Sequence, residues 1–302
     1  MGTEVPRAQS FPRQTLSAAH TGILLMLVAA MTASVLHMGV RHVSPRIPVF
    51  EVVFLRTLFS MLAGAPLVLR PGRMAWRSNA PGLQIVRGLV GTLSMTTWYY
   101  SLATLPLADA VTLGLTTSLF VVLGATIVFK ERAGLYRWAA LLVGFLGAVI
   151  VLRPTGQGVA LVPAIICIAS SALWAISLLI AKYAGRYDSS LTTAFWQPLT
   201  IMPFAAIGAY VTWVPPQAAD LTVLAVIAAV AVLGNYCSIQ ALRIADTSIT
   251  MPVDYTKLIW SIIGGYILFN EIPSVSTALG ALLIIASSLY IALRESHRAP
   301  QQ

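Results

Sequence analysis

Charged residues are scarce in this sequence. Asp, Glu, Lys and Arg together make up 10% of the 302 residues, whereas hydrophobic residues make up 58%. A soluble domain carries roughly 25% charged residues, enough to cover a surface that faces water. The composition therefore excludes a soluble globular protein and predicts an integral membrane protein.

Cysteine and histidine are also rare. The two cysteines, Cys167 and Cys237, both lie in apolar runs, and there are four histidines. A disulfide framework needs several spaced cysteines, and a metal site needs clustered Cys, His or acidic ligands. We therefore expect no disulfide, no metal and no other cofactor, and a membrane-embedded metalloenzyme is disfavoured. The sequence has no nucleotide-binding motif, so direct coupling to ATP is not expected either.

The formal net charge of +9 needs an explanation, because strongly basic domains often bind nucleic acid. Here the basic residues are scattered in short loops, a distribution typical of the orientation signal of a membrane protein. We expect no nucleic-acid partner. Residues 1–20 are polar, include Arg7 and Arg13, and precede an apolar run that no cleavage site follows. We interpret 1–20 as a cytoplasmic N-terminal tail rather than a removed signal peptide.

Ten apolar runs are long enough to cross a bilayer as helices of about 20 residues. They lie at about 21–40, 49–69, 80–102, 108–129, 135–152, 159–182, 190–211, 220–242, 248–269 and 275–293. With a cytoplasmic N-terminus, most of the 19 Lys and Arg residues fall on the cytoplasmic side, and the opposite loops receive Arg41, Arg46 and Arg153. The asymmetry predicts that both termini, including the tail 294–302, are cytoplasmic.

Two segments of the chain resemble each other. Residues 107–131 read LADAVTLGLTTSLFVVLGATIVFKE, and residues 244–271 read IADTSITMPVDYTKLIWSIIGGYILFNE. Both begin with an Ala-Asp pair and finish with Phe-x-Glu. We therefore expect an all-α protein of ten transmembrane helices in two five-helix repeats, 21–153 and 159–293. Because five is odd, the second repeat is inverted, which is the architecture of secondary transporters with a site near the midplane.

The motifs also indicate a family. The first half contains LPLADAV, FKER and RWAALLVGFLGAVIVLRP, and the second contains ALRIADTSITMPVDYTKLIW, GYILFNEIP and LGALLIIASSLYIALRE. This pattern resembles the EamA-type branch of the drug/metabolite transporter superfamily over nearly the whole chain beyond the N-terminal tail. The resemblance implies a carrier of a small organic solute, such as riboflavin, S-adenosylmethionine, an amino acid or an opine-type metallophore.

The sequence departs from the family pattern at two positions. Relatives often carry Pro where Ser118 stands and Gly where Asn270 stands. The first departure puts a break in the fourth helix in doubt, whereas the second alters only a helix end. Pro252 remains in the ninth span, where its missing N–H predicts a bend near Asp254.

Two charged residues lie inside the ninth predicted span. Lys257 is about nine residues into it, roughly 14 Å deep and close to the midplane. Asp254 is one turn away, and Thr250 and Ser261 extend the same helix face. We interpret Lys257 as a contact for a substrate carboxylate and Asp254 as a site for a proton or an amine. The alternative is an ion pair that only neutralises itself.

Other polar and aromatic residues in the spans are weaker indicators of a binding site. Arg56 and Arg87 either face a central cavity or extend to the nearer membrane interface. The remaining candidate substrate-binding residues are Trp98, Trp174, Trp196, Gln197, Asn235 and Tyr255. For the aromatic residues among them, the alternative role is packing. We assign structural roles to His37 (packing), Glu131 and Glu271 (capping or loop packing), Asp109 and Asp246 (helix N-caps), and the glycines at 144, 147, 264, 265 and 280 (close helix packing).

These observations predict a secondary transporter in the bacterial inner membrane, acting as a monomer or weak dimer. It would move a small polar organic metabolite by alternating access through a cavity lined by the second, third, fourth, seventh, eighth and ninth spans. Three embedded cations against one deep acid favour a solute that bears a carboxylate or phosphate. Export is slightly favoured because most members of the family export. The alternative is an importer of riboflavin or S-adenosylmethionine. The coupling proton or ion stays open, and the inverted duplication disfavours a passive channel.

Overall fold

The computed structural model describes residues 16–68, 77–128, 135–152, 160–245 and 247–296, and within these ranges the secondary structure is entirely helical. The helices are α1 (Leu16–Val43), α2 (Val49–Val68), α3 (Pro81–Thr104), α4 (Leu107–Gly114), α5 (Thr116–Val128), α6 (Leu135–Leu152), α7 (Leu161–Ala184), α8 (Ser190–Val211), α9 (Ala218–Ile244), α10 (Thr247–Asp254), α11 (Lys257–Phe269) and α12 (Val275–Ser296). They form the ten predicted spans, since α4 and α5 share one span and α10 and α11 share another. Glu131, Asp246, most of the N-terminal tail and the end of the C-terminal tail lie outside the described residues.

Not every span is uniformly apolar. Among the described residues, six helical stretches are long and apolar enough to cross a membrane by length and composition: 19–43, 107–128, 161–184, 192–211, 218–244 and 275–294. The α3 helix is less apolar because it carries Gln84, Arg87 and Ser94, all of which are buried. Polar side chains of this kind face the protein interior rather than lipid.

The two halves pack by the same scheme. Helix α1 packs against α9 in the way that α7 packs against α3, and α1 contacts α10 and α11 as α7 contacts α4 and α5. Helices α2 and α8 pack against each other, as do α6 and α12. Exchanging the halves therefore leaves the packing pattern unchanged. Because each half has five spans, the second half runs inverted relative to the first.

Helix ends collect at two faces of the molecule. We call one the Glu271 face: there α1 ends and α2 begins, and Arg46 binds Asp220 at the start of α9. We call the other the Asp188 face: there Asp188, between α7 and α8, binds Ser78 before α3. The chain alternates between these faces at every span, which is the arrangement that the loop charges predict.

The fourth and ninth spans are each broken near their middle. Helix α4 ends at Gly114 and α5 begins at Thr116, while α10 ends at Asp254 and α11 begins at Lys257. The hydroxyl of Thr116 donates to Leu113 O at 2.6 Å, and that of Thr256 donates to Val253 O at 2.7 Å. The two hydroxyls bind carbonyl groups beside each break, an arrangement tolerated inside a protein.

The fourth span is broken even though Ser118 stands where relatives often carry proline. The helix breaks at Leu115 although no proline is present, and Ser118 donates its hydroxyl to Leu115 O at 2.8 Å. A hydroxyl that bonds to a preceding carbonyl competes with the helical pattern locally. In the ninth span the break follows Pro252, next to Asp254, where the sequence predicts a bend.

Small residues allow the helices to approach closely. A Cβ atom added to Gly147 on α6 would lie 2.8 Å from Gly280 O on α12, and one added to Gly280 would lie 2.6 Å from Gly147 O. A Cβ on Gly264 would lie 1.9 Å from the sulfur of Met38 on α1. The contact between Gly147 and Gly280 joins two backbones and requires glycine, as the sequence predicts for close helix packing, whereas the neighbour of Gly264 is a flexible side chain.

We expect Gly147→Ala to destabilise the protein by about 1–3 kcal/mol, because the added methyl group meets backbone atoms that cannot rotate away. The matched control is Gly82→Ala, since nothing lies within 4 Å of a Cβ at Gly82. Thermal unfolding of both variants in detergent measures the effect. Equal unfolding temperatures for the two variants would contradict the α6–α12 contact.

Candidate functional site

The ion pair expected in the ninth span is present. Lys257 Nζ lies 2.6 Å from Asp254 Oδ2, across the break between α10 and α11. The Lys257 side chain is 25% exposed and that of Asp254 is 34% exposed. Lys257 is therefore not sealed in dry packing, and neither charged side chain is fully buried within the protein.

Helix α1 holds the start of α11 in place. The Ser34 hydroxyl donates to Lys257 O at 2.8 Å, and the Ser261 hydroxyl donates to Ser34 Oγ at 3.2 Å. Ser261 and Thr250 are fully buried, so the polar stripe expected along the ninth span is not equally exposed along its length. Its ends are buried, and its centre, Asp254 and Lys257, is partly open. The first span, which the sequence did not place at the site, supplies this support.

His37 and Trp98 form an aromatic contact beside the ion pair. Their ring centroids are 5.3 Å apart at an interplanar angle of 74°. His37 lies one turn after Ser34 on α1, and the Ser34 hydroxyl donates to Lys257 O at 2.8 Å, so the aromatic pair lies close to the start of α11. The Trp98 ring also packs where a Cβ on Gly114 would lie, at the break in the fourth span. His37, for which packing was expected, packs against Trp98.

Arg56 on α2 has no acidic partner in the part of the chain that the structure describes. Its Nη1 atom approaches Met95 Sδ at 3.9 Å, and its Nε atom is buried without a hydrogen bond. Met95 lies one turn before Trp98 and Tyr99 on the same face of α3. Arg56 therefore packs against the face of α3 that carries Trp98.

Arg87 and Gln197 bind each other between α3 and α8. Arg87 is 6% exposed and donates to Thr193 O at 2.7 Å and to Gln197 Oε1 at 2.9 Å. These bonds hold the guanidinium inside the protein near the Asp188 face. The position favours a role in joining the two halves over direct contact with a solute at Lys257.

The other predicted site residues are spread over several helices. Tyr255 lies in the break and packs against the main hydrophobic core. Trp174 on α7 and Trp196 on α8 are partly buried, whereas Asn235 on α9 is exposed. Of these four residues, Tyr255 lies next to Asp254 along the chain, and the other three lie on other helices.

An interlock of both halves closes the Glu271 face. Arg41 of α1 forms a salt bridge with Glu271 and donates to the carbonyl oxygens of Leu105 and Leu102. The second carboxylate oxygen of Glu271 accepts the N–H of Leu107 at 2.7 Å, the first residue of α4. A carboxylate is stabilised there by the positive end of the helix dipole. Glu271 thus caps a helix, as expected, but the helix belongs to the opposite half.

Asp109 differs from its expected role. It was predicted to cap the fourth span, but the α4 N-terminus is capped by Glu271, and Asp109 accepts a hydrogen bond from Thr277 at the start of α12.

Two further contacts tie the halves at this face. Arg46 donates to Asp220 at 2.9 and 2.5 Å, and Glu51 accepts the N–H of Val214 at 3.1 Å.

The Asp188 face carries a separate hydrogen-bonded lock between the halves. Asp188 accepts bonds from the Ser78 hydroxyl at 2.5 Å, the Asn79 N–H at 2.6 Å and the Gln84 amide at 2.9 Å. Burial alone would raise the pKa of Asp188, but these three bonds together lower its pKa below the ordinary value. The lock therefore holds an ionised carboxylate.

The lowered pKa of Asp188 predicts a pH dependence of stability. The stabilisation is fully present above the unfolded pKa of about 3.9 and is lost as pH falls through the lower folded value. We expect the unfolding temperature of the wild type to exceed that of Asp188→Asn by a constant margin from pH 5 to 7. Below about pH 4 the margin should shrink. A margin that grows on acidification would contradict the assignment.

Together these features define an inverted-repeat membrane transporter with breaks in its fourth and ninth spans and an ion pair at the ninth. Comparison with known proteins agrees. The model of the EamA-like transporter family matches residues 20–153 and again 161–293. The chain belongs to the EamA-like transporter family, and this family and its named relatives are transporters rather than enzymes.

Several characterised relatives match over most of the chain. An S-adenosylmethionine uptake transporter of Rickettsia prowazekii (strain Madrid E) is 27% identical, covering 91% of this chain and 93% of the relative. A riboflavin transporter of Rhizobium johnstonii is 28% identical and covers 93% and 94%. The pseudopaline exporter CntI of Pseudomonas aeruginosa is 27% identical and covers 89% and 95%.

A solved crystal structure shares the fold. It superposes with a TM-score of 0.59 at 18% sequence identity, and the match covers 94% of this chain and 98% of the other. At this identity the likeness supports the architecture alone.

Proposed function

We propose that the protein is a secondary carrier of a small organic metabolite with an amino-acid-like end, and that Lys257 and Asp254 bind that end. The observation that carries the proposal is an ion pair that stays partly exposed in the middle of a membrane span. A pair that served packing alone would be replaceable by apolar residues at little cost. Its position beside a helix break favours a binding role.

The chemistry of the pair matches a zwitterion. An ammonium donor at Lys257 suits a substrate carboxylate, and the carboxylate of Asp254 suits a substrate ammonium group. A solute that inserts between them exchanges one ion pair for two. Because Asp254 also accepts a proton, it is the candidate for coupling transport to a proton, with another ion as the alternative.

Transport would proceed by alternating access. The interlock around Glu271 and the lock around Asp188 each join the two halves at opposite faces. Opening one face while the other stays closed would expose Lys257 to one side at a time, as inverted-repeat carriers do. Both uptake and export occur among the named relatives, so the fold serves either direction.

We further propose that the protein lies in the bacterial inner membrane with the Asp188 face and both termini in the cytoplasm. The test is labelling of single cysteines by a membrane-impermeant maleimide. A cysteine at Arg46 should be labelled in intact cells, and a cysteine at Arg186 only after lysis. Labelling of both from outside would contradict this orientation.

A second candidate is an importer of riboflavin or S-adenosylmethionine. The specific observation in its favour is the His37–Trp98 aromatic pair beside Lys257, since planar heterocycles stack on aromatic rings. S-adenosylmethionine would combine such a ring with an amino-acid end.

A thermal-shift screen of the purified protein followed by counterflow in proteoliposomes tests the proposal. The screen compares amino acids, flavins, nucleosides and simple carboxylates. Stabilisation and saturable counterflow by amino-acid-like solutes support the proposed function. Stabilisation by riboflavin alone would favour the second candidate, and unsaturable flux would indicate a channel.

A further inference from the structure

The three cations embedded in the spans differ in their partners. Lys257 is paired with Asp254 at 2.6 Å, and Arg87 is bonded to Thr193 O and Gln197. Among the described residues, the polar contact of Arg56 is with the sulfur of Met95. Of the three cations, Arg56 is therefore the one whose guanidinium bonds to no oxygen atom within the described part of the chain.

The side chains around Arg56 offer hydrogen-bonding groups without partners. Tyr99 is 1% exposed, and its hydroxyl group is buried with no hydrogen bond. Four further buried polar atoms without a bond lie on the same three helices: His37 Nδ1 on α1, Thr57 Oγ1 and Ser60 Oγ on α2, and Thr96 Oγ1 on α3. Three more, Glu51 Oε1, Gln84 Oε1 and Arg87 Nε, lie nearer the starts of α2 and α3. Buried polar groups are normally bonded, so this concentration of unbonded ones points to a ligand.

We propose that Arg56 and Tyr99, with the neighbouring hydroxyl groups, form a second anion-binding subsite next to the Lys257–Asp254 pair. The inference rests on the proposed function and makes it more specific. The solute is an amino acid that carries an additional acidic group. Its amino-acid end binds Lys257 and Asp254, and its second carboxylate or phosphate binds Arg56.

A chain of contacts connects the two parts of this site. Arg56 Nη1 lies 3.9 Å from Met95 Sδ, and Met95 is one turn before Trp98 and Tyr99 on the same face of α3. Trp98 contacts His37, which is one turn after Ser34 on α1, and Ser34 donates to Lys257 O at 2.8 Å. A guanidinium that has no carboxylate in contact among the described residues suits an anion, because it binds carboxylate and phosphate bidentately.

Charge balance gives the same substrate class. Lys257 and Asp254 cancel each other, and a simple zwitterion adds no net charge. Arg56 then stays uncompensated inside the membrane unless the solute carries one more negative charge. Neutral amino acids should bind more weakly for this reason.

The test measures binding to the purified full-length protein in detergent by calorimetry. The acidic probes are L-glutamate, L-2-aminoadipate and O-phospho-L-serine, and the neutral probes of similar size are L-glutamine and L-norvaline. We expect at least one acidic probe to bind about 10-fold or more tightly than the neutral probes. Arg56→Gln should remove this preference, Arg56→Lys should restore part of it, and Arg243→Gln, an exposed surface control, should leave it intact.

Each outcome decides a different point. Loss of the preference in Arg56→Gln, with binding of neutral probes retained, supports the subsite and shows that the variant is folded. Equal binding of acidic and neutral probes in the wild type overturns the subsite and leaves the proposed function standing. Absence of binding by every amino-acid probe overturns both. A preference for O-phospho-L-serine over the dicarboxylates identifies the second group as a phosphate.

Discussion

Replacing Lys257 by alanine is expected to lower transport about 10- to 100-fold, because a hydrogen bond to a charged group contributes about 1.5–3 kcal/mol. The protein should still insert and purify normally, since Asp254 is 34% exposed and can be hydrated after the change. The measurement is uptake of the solute selected by the thermal-shift screen into proteoliposomes. Lys257→Arg keeps the charge and should retain part of the activity.

A double variant separates a role of the ion pair in solute binding from a role in stability. In Asp254→Leu/Lys257→Met both charges are absent, so no unpaired charge remains to destabilise the protein. We expect this variant to be stable and inactive. A stable double variant that transports at the wild-type rate would show that the pair serves only to neutralise itself.

The second large effect is expected at the interlock. Glu271→Gln removes the negative charge that pairs with Arg41 and caps the first turn of α4. The closed state of the Glu271 face should lose about 1.5–3 kcal/mol, which raises the population of the open state about 10- to 100-fold. The reporter is a cysteine at Met38, one turn below Arg41, whose labelling by an impermeant maleimide should accelerate to a similar degree.

Thr222→Ala provides the control for this experiment. Thr222 is exposed near the start of α9 at the same face, and its hydroxyl donates to Ala218 O of its own helix at 2.8 Å, so the change breaks no contact between the halves. We expect a change below about 3-fold in the labelling of the Met38 position. Equal acceleration in the two variants, or none in Glu271→Gln, would contradict a gating role for the interlock.

The architecture could be read from the sequence because its signals are local or repeated. Apolar runs mark spans, the Ala-Asp and Phe-x-Glu pattern marks the duplication, and parity then implies inversion. Lys257 and Asp254 were identifiable because charge inside an apolar run is costly wherever it points.

The partners of those residues could not be read in the same way. Arg41 and Glu271 are 230 positions apart, and Ser34 and Lys257 are 223 apart. Such contacts depend on how two inverted halves pack, which no local pattern encodes. The surroundings of His37 could not be read for the same reason, because the Trp98 ring that it contacts lies on α3, 61 positions away. The sequence signal that was available was polarity alone, shared with residues such as Thr32 that only bond to their own helix.

The break at Leu115 lacked a conventional signal. Proline marks the ninth span, but the fourth span uses the hydroxyls of Thr116 and Ser118, which bond to nearby carbonyl groups. Threonine and serine are common in membrane helices without breaking them. Thr256 makes the equivalent bond beside the break in the ninth span, so a hydroxyl bonded to a nearby carbonyl is a feature that both breaks share.

The most direct test of alternating access is a pair of distance measurements by double electron–electron resonance. Spin labels at Arg77 and Arg186 report the Asp188 face, and labels at His42 and Gln217 report the Glu271 face; all four positions are exposed and each pair spans the two halves. When the protein is moved between its solute-free and solute-bound states in proteoliposomes, one distance should lengthen while the other shortens. Distances that both stay fixed, or that change in the same sense, would contradict a carrier built from two halves that rock around Lys257.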